Sequence, residues 1–261
     1  MGVLKLIRQI VNLNYFLYFA PNLITMKKTI VAVVTVILLA ACSKSPSKDN
    51  LHLVGDVKGL KKGTLYIQRL VDTNLVAIDT IQIDGDSHFE SDINLNSPEV
   101  LYLFLDRGTT NSMDNNIIFF AEPGEMTIET NLDNYLTNAK ITGSKNQELY
   151  EEYKKINSRF IDENLTLLEQ KFKAIKYQSP KVVDSLTARQ ESNIKRKYLY
   201  ATNFALNNKD YEIAPYIALS EIYDINVKYL DTIQKSMSPK VANSLYGKKL
   251  TKYVADIKKQ H

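Results

Sequence analysis

The chain has 261 residues, 44% of them hydrophobic and 24% charged, with a formal net charge of +4. It holds one cysteine, Cys42, and three histidines, His52, His88 and His261. An internal disulfide, a CxxC redox pair and a cysteine-built zinc centre are thereby excluded, and no HExxH helix, GxSxG elbow, GxGxxG turn or P-loop occurs.

Residues 1–25 scatter Asn12, Asn14, Pro21 and Asn22 among apolar residues and precede what is already a complete leader. Translation from Met26 is the first reading; a second membrane-seeking segment is the alternative. From Met26 the chain reads MKKTIVAVVTVILLAAC, in which Lys27 and Lys28 form a basic head and Ile30 to Ala41 an uncharged run. That is the layout of a secretory signal. Twelve helical residues rise about 18 Å, well short of a bilayer core of roughly 30 Å, so a signal is expected rather than a span.

Leu39-Ala40-Ala41-Cys42 resembles a bacterial lipobox, in which the cysteine thiol receives the lipid. The expectation is a mature chain beginning at a lipidated Cys42, held on the membrane by its acyl chains. Ser43 follows, where an Asp would favour retention at the inner membrane; Ser points to the outer one. Residues 43–50, SKSPSKDN, are polar and read as a tether with an r.m.s. span of roughly 15 Å.

Eight short alternating runs follow: 51–57, 64–70, 75–83, 88–93, 100–106, 116–122, 126–130 and 139–143. Each reads as a strand. Gly85 in Asp84-Gly85-Asp86 suits a tight hairpin, and Pro123-Gly124 occupy the central positions of a type II turn. So many strands in about 90 residues predict an antiparallel β-sandwich or barrel.

After Gly143 the period changes to that of helices. Leu149, Tyr153, Ile156, Phe160, Leu167, Phe172 and Ile175 predict one long helix, broken at Tyr177-Gln178-Ser179-Pro180. Val183, Leu186, Ile194, Tyr198, Ala201 and Phe204 predict a second, the two forming an antiparallel hairpin. Shorter helices fit 212–236, and Ser238-Pro239 caps a last one running to about 258. The expected fold class is α+β, with a signal region 1–41, a lipidated tether 42–50, a β domain 51–143 and a helical domain 144–261.

Residues 42–143 carry 8 basic and 15 acidic residues, whereas 144–261 carry 21 and 14. The lysines of the basic half alternate with glutamates along helical patterns. They read as solvated helix surface, and no nucleic acid partner is expected.

The order and spacing of Gly55, Gly59, Gly63 with Leu65 and Tyr66, Asp79-Thr80, Gly85 with Phe89, Glu122-Pro123-Gly124, and Gly143-Ser144 with Asn146 resemble domain of unknown function 4369 over residues 51–150. That resemblance implies a lipoprotein of the type found in the Bacteroidetes. In many relatives the β domain and a helical connector precede a thioredoxin-like domain with a CxxC pair; here the matching cysteines are missing, so the resemblance transfers no catalytic residue.

Three places merit attention as sites. His88 lies beside Asp84 and Asp86, but these lack the frame of a calcium loop, and a hairpin end is the plainer reading. The polar loop 106–116, with Asp106, Arg107, Asn111, Asp114 and Asn115, sits between apolar strands and is the candidate recognition loop. Eleven tyrosines in the helical half suit either a ligand groove or ordinary packing. No catalytic, cofactor or metal residue is assigned. The leading expectation is a non-enzymatic, membrane-anchored binding or accessory module, its partner an envelope protein or a small ligand. The alternatives are an accessory to a separate thioredoxin-like protein and a hydrolase using carboxylates among Asp106, Asp114 and Glu122.

Overall fold

A computed structural model describes residues 49–108 and 112–260. The leader, Cys42, most of the tether, Asn111 and His261 lie outside the described residues. Among the described residues there are eight strands: β1 (Leu51–Lys58), β2 (Lys62–Val71), β3 (Asn74–Asp84), β4 (His88–Ile93), β5 (Glu99–Asp106), β6 (Asn116–Ala121), β7 (Gly124–Asn131) and β8 (Lys140–Thr142). They form two four-stranded sheets, ordered β4-β1-β7-β8 and β3-β2-β5-β6.

The sandwich was one of two expected forms, and the barrel is excluded, because the two sheets do not close on each other. The expectation of purely antiparallel pairing is corrected at one ladder: β1 and β7 run parallel, with Leu51 opposite Gly124 and Lys58 opposite Asn131. The cause lies in the turns. Gly85 takes the positive φ expected of it, yet β3 and β4 belong to different sheets, so this turn is a corner and not a hairpin. The turn at Glu122-Pro123 likewise carries the chain from β6 in one sheet to β7 in the other. A crossing between layers leaves the incoming strand free to run either way against its new neighbour.

Alternation sets the core. Leu51, Leu53 and Val57 of β1 meet Leu65, Ile67, Leu101, Leu103, Leu105, Ile117 and Phe119 of the other sheet across the interior. The run Val100-Leu101-Tyr102-Leu103 is apolar on both faces because β5 is covered twice. Its odd residues face the sandwich core, while Val100 and Tyr102 face the helices.

Six helices follow: α1 (Lys145–Lys176), α2 (Pro180–Asn207), α3 (Ile213–Ser220), α4 (Val227–Ser236), α5 (Pro239–Ala242) and α6 (Leu245–Gln260). Ser144 caps α1 by accepting from the Gln147 amide, and Pro180 opens α2. Ser238 caps α5, a single turn, rather than the long last helix expected there. Ile213, Ile217, Ile222, Leu230, Ile233, Val241, Leu250 and Val254 form a second core, to which sheet residues Val100 and Phe120 contribute. Phe172, Ile175 and Ile194, expected to be buried, are exposed; Leu167 and Leu186 are buried as expected and, with Ala174, close the far part of the hairpin. Two stripes of similar spacing coexist on α1, and the sequence does not say which of them meets α2.

The tyrosines pack. Tyr153 stacks on Tyr200 at 5.5 Å, and Tyr216 meets Tyr246 and Phe120 edge-on at 5.1 and 5.6 Å. The Tyr246 hydroxyl also accepts from the Val100 amide at 2.9 Å, and the Gln147 side chain accepts from the Phe120 amide at 2.7 Å. Helix side chains thus satisfy backbone donors of the sheet they cover. No helix among the described residues is long and apolar enough to cross a membrane.

Candidate functional site

Two clefts are built from residues that the sequence draws attention to. The first, about 450 Å³, opens at one end of the sandwich between loop 106–116 and the segment after β7. Arg107, Asp114 and Asn115 line it from one side, and Asp133, Asn134 and Thr137 from the other. Arg107 Nη2 donates to the Leu132 carbonyl at 2.7 Å, which lays the guanidinium across the cleft. The opposite wall is pinned by Tyr135: its hydroxyl donates to the Leu103 carbonyl at 3.1 Å, and its own carbonyl accepts from Thr130 Oγ1 at 2.7 Å. Burial pushes the Tyr135 phenol well up, against a small opposing pull from Arg107, so the ring anchors the wall as a neutral donor.

Of the predicted loop residues, Arg107, Asp114 and Asn115 come together in this cleft. Asp106 does not: its carboxylate accepts from the Gly108 amide at 2.8 Å and holds the loop's first turn. Asn111 lies outside the described residues. The trio of carboxylates does not assemble either, because Glu122 follows the far end of β6, about 20 Å of strand from Asp114. His88 is exposed, with Nε2 3.2 Å from Glu90, and no three metal-binding side chains converge among the described residues.

The second cleft, about 370 Å³, lies between the sheets' other end and the helices, bordered by Asn50, Ser97, Pro123, Glu212, Lys240 and Asn243. Its floor is a polar cluster centred on Asn146, which is fully buried. Asn146 Oδ1 accepts from the Ile213 amide at 2.8 Å, while Nδ2 donates to Glu122 at 3.3 Å and to Glu212 at 3.1 Å. Glu122 Oε2 accepts further bonds from Ser144 Oγ at 2.9 Å and the Asn146 amide at 3.1 Å. A carboxylate set against the first turn of α1 complements the exposed amides there. The other oxygen of buried Glu212 lies 3.6 Å from Lys240 Nζ and accepts no hydrogen bond.

This cluster joins the β6–β7 turn, the start of α1 and the start of α3. Gly143 makes the approach feasible, since a Cβ there would fall 2.1 Å from the Glu125 carbonyl oxygen. Glu122, Gly143, Ser144 and Asn146 are all visible in the sequence among the residues that carry the family resemblance. Glu212 and Lys240 are not, because nothing local distinguishes a buried glutamate at a helix start from an exposed one.

A two-sheet β domain whose closing turn is bonded into the first of a set of helices is the class that this geometry defines. Residues 51–150 match the family described as Domain of unknown function (DUF4369), which spans the eight strands and the first turns of α1. The resemblance carried by the turn residues and this match cover the same stretch. No curated protein and no solved structure gives a significant match.

Proposed function

We propose that the protein is a lipid-anchored binding module of the cell envelope, held on the membrane through Cys42, facing the periplasm from the outer membrane, and taking an envelope protein or a small ligand as its partner. The observation that carries the binding role is the first cleft. A loop of irregular polar sequence, mounted on two rigid strands, presents Arg107 and Asp114 across from Asp133 and Asn134. Opposed charges over an open polar cleft recognise a ligand by hydrogen bonding and charge rather than by apolar burial. The anchoring role rests on the Leu39-Ala40-Ala41-Cys42 motif and its basic, apolar leader. Binding without turnover is the reading that suits the chain's lack of the common catalytic motifs.

In-cell cross-linking with mass spectrometry, on the chain expressed from Met26 at native level, tests this. One specific envelope partner should be recovered, and its yield should fall about tenfold or more with Arg107→Ala or Asp114→Ala. Recovery of a thioredoxin-like lipoprotein would identify the accessory role. Robust turnover on a substrate panel, abolished by changing one side chain, would overturn the non-enzymatic reading. Retention of Cys42 as an unmodified thiol in the mature protein would remove the anchor.

A further inference from the structure

We propose that two copies of this chain pair antiparallel through the outward face of α1, at the far part of the helical hairpin. Ile161, Leu165, Leu168, Phe172 and Ile175 follow one another at intervals of four, three, four and three residues, and each is 37–63% exposed. That spacing is the seam of a coiled coil, and it runs about 21 Å along the helix. The seam that α1 uses against α2 is a different one, closed by Leu167 and Ala174. One helix therefore carries two apolar seams about a third of a turn apart, and only one is covered within the chain.

The charges beside the open seam select its occupant. From Ile161 to Glu169 the charged residues are Asp162, Glu163 and Glu169, all acidic; from Gln170 to Lys176 they are Lys171, Lys173 and Lys176, all basic. Glu163 is engaged by Arg196 and Glu169 by Lys173, whereas Asp162 and Lys176 have no ion-pair partner among the described residues. A second α1 laid antiparallel sets Leu165 against Ile175 and Leu168 against Phe172. It brings Asp162 of each copy to Lys176 of the other, twice by symmetry. A parallel copy places acid beside acid and base beside base. An anionic lipid surface is a poorer fit, because the acidic half of the same face would be pressed against it.

A seam of this length is smaller than the roughly 1,200–2,000 Å² of a standard stable interface, so the pairing is weak and concentration-dependent. The test is sedimentation of the full chain in a non-ionic detergent, at protein concentrations from about 5 to 500 μM. The mass should rise with concentration, and Leu165→Glu with Phe172→Glu should weaken association at least about tenfold. The helical circular dichroism should stay unchanged, since both side chains are exposed. A cross-linker reaching about 10 Å then reads the direction of pairing. Leu168→Cys should be joined to its copy across about 6 Å of axial offset, and Ile161→Cys should not, across about 27 Å; the wild-type chain, with Cys42 alone, sets the background. A constant monomer mass, or equal cross-linking at both positions, would overturn the proposal. So would phosphatidylglycerol-vesicle binding that the double variant abolishes while the mass stays monomeric, which would assign the face to the membrane.

Discussion

Replacing Asn146 by alanine tests the cluster that joins the sheets to the helices. The substitution removes three side-chain hydrogen bonds, to the Ile213 amide, Glu122 and Glu212. Glu122 keeps two other donors, Ser144 Oγ and the residue-146 amide, and is little affected. The Ile213 amide and Glu212 Oε2 fare worse, because both are buried and bonded by Asn146, and Lys240 remains 3.6 Å from the other Glu212 oxygen. An orphaned buried neutral group costs about 1–3 kcal/mol, and a charged one more. The expected loss is about 3–5 kcal/mol, or roughly 10 °C in Tm for a body of this size. Thermal melts followed by far-ultraviolet circular dichroism, with urea titrations alongside, measure it.

Asn146→Asp sharpens the same experiment. It keeps an acceptor for the Ile213 amide but replaces the donor with a third carboxylate between Glu122 and Glu212. Crowding raises the pKa of the introduced group above its unfolded value, so the folded state binds more protons than the unfolded one. Its stability must fall as pH rises from about 4 toward 7, and in acid, where the protonated carboxyl again offers an acceptor and a donor, the Asp variant should exceed the Ala variant and approach wild type. A Tm for Asn146→Ala within about 2 °C of wild type would show that the cluster does not hold the two parts together.

Two further outcomes are expected. Gly55→Ala would place a Cβ 2.3 Å from Phe89 Cζ and 2.5 Å from the Ile128 carbonyl oxygen, so the urea midpoint should drop by the equivalent of about 1–3 kcal/mol, and Phe89→Leu should restore part of it. Glu99 has its pKa raised, burial outweighing the attraction of Arg69, so its folded pKa exceeds its unfolded one. Its contribution is therefore greatest in acid and is lost as pH rises through that folded value; urea midpoints at pH 4.5 and 7.5 should differ less in Glu99→Gln than in wild type.

The kinds and the order of elements can be read from local residue patterns. Period-two alternation marks β1 to β8 and period-3.6 spacing marks α1 and α2, because each pattern is the local condition for burying one face. Turn positions were also legible, since Gly85 and Gly124 are needed wherever the backbone enters positive φ. Half of the first cleft was legible too, as a polar loop interrupting apolar strands.

What those turns connect is fixed by packing between distant parts of the chain. A corner and a hairpin share the same local chemistry, so the assignment of β3 and β4 to different sheets, and the parallel meeting of β1 with β7, depend on contacts far apart in the chain. The same holds for α1, where two seams of equal spacing compete and the position of α2 leaves Phe172 and Ile175 outside. It holds as well for Glu212 and Lys240, which border the second cleft only because α3 and α5 are folded against the turn at Pro123. Local preference is written in neighbours a few residues away; burial, partner and direction are set by surfaces that exist only once the chain has closed on itself.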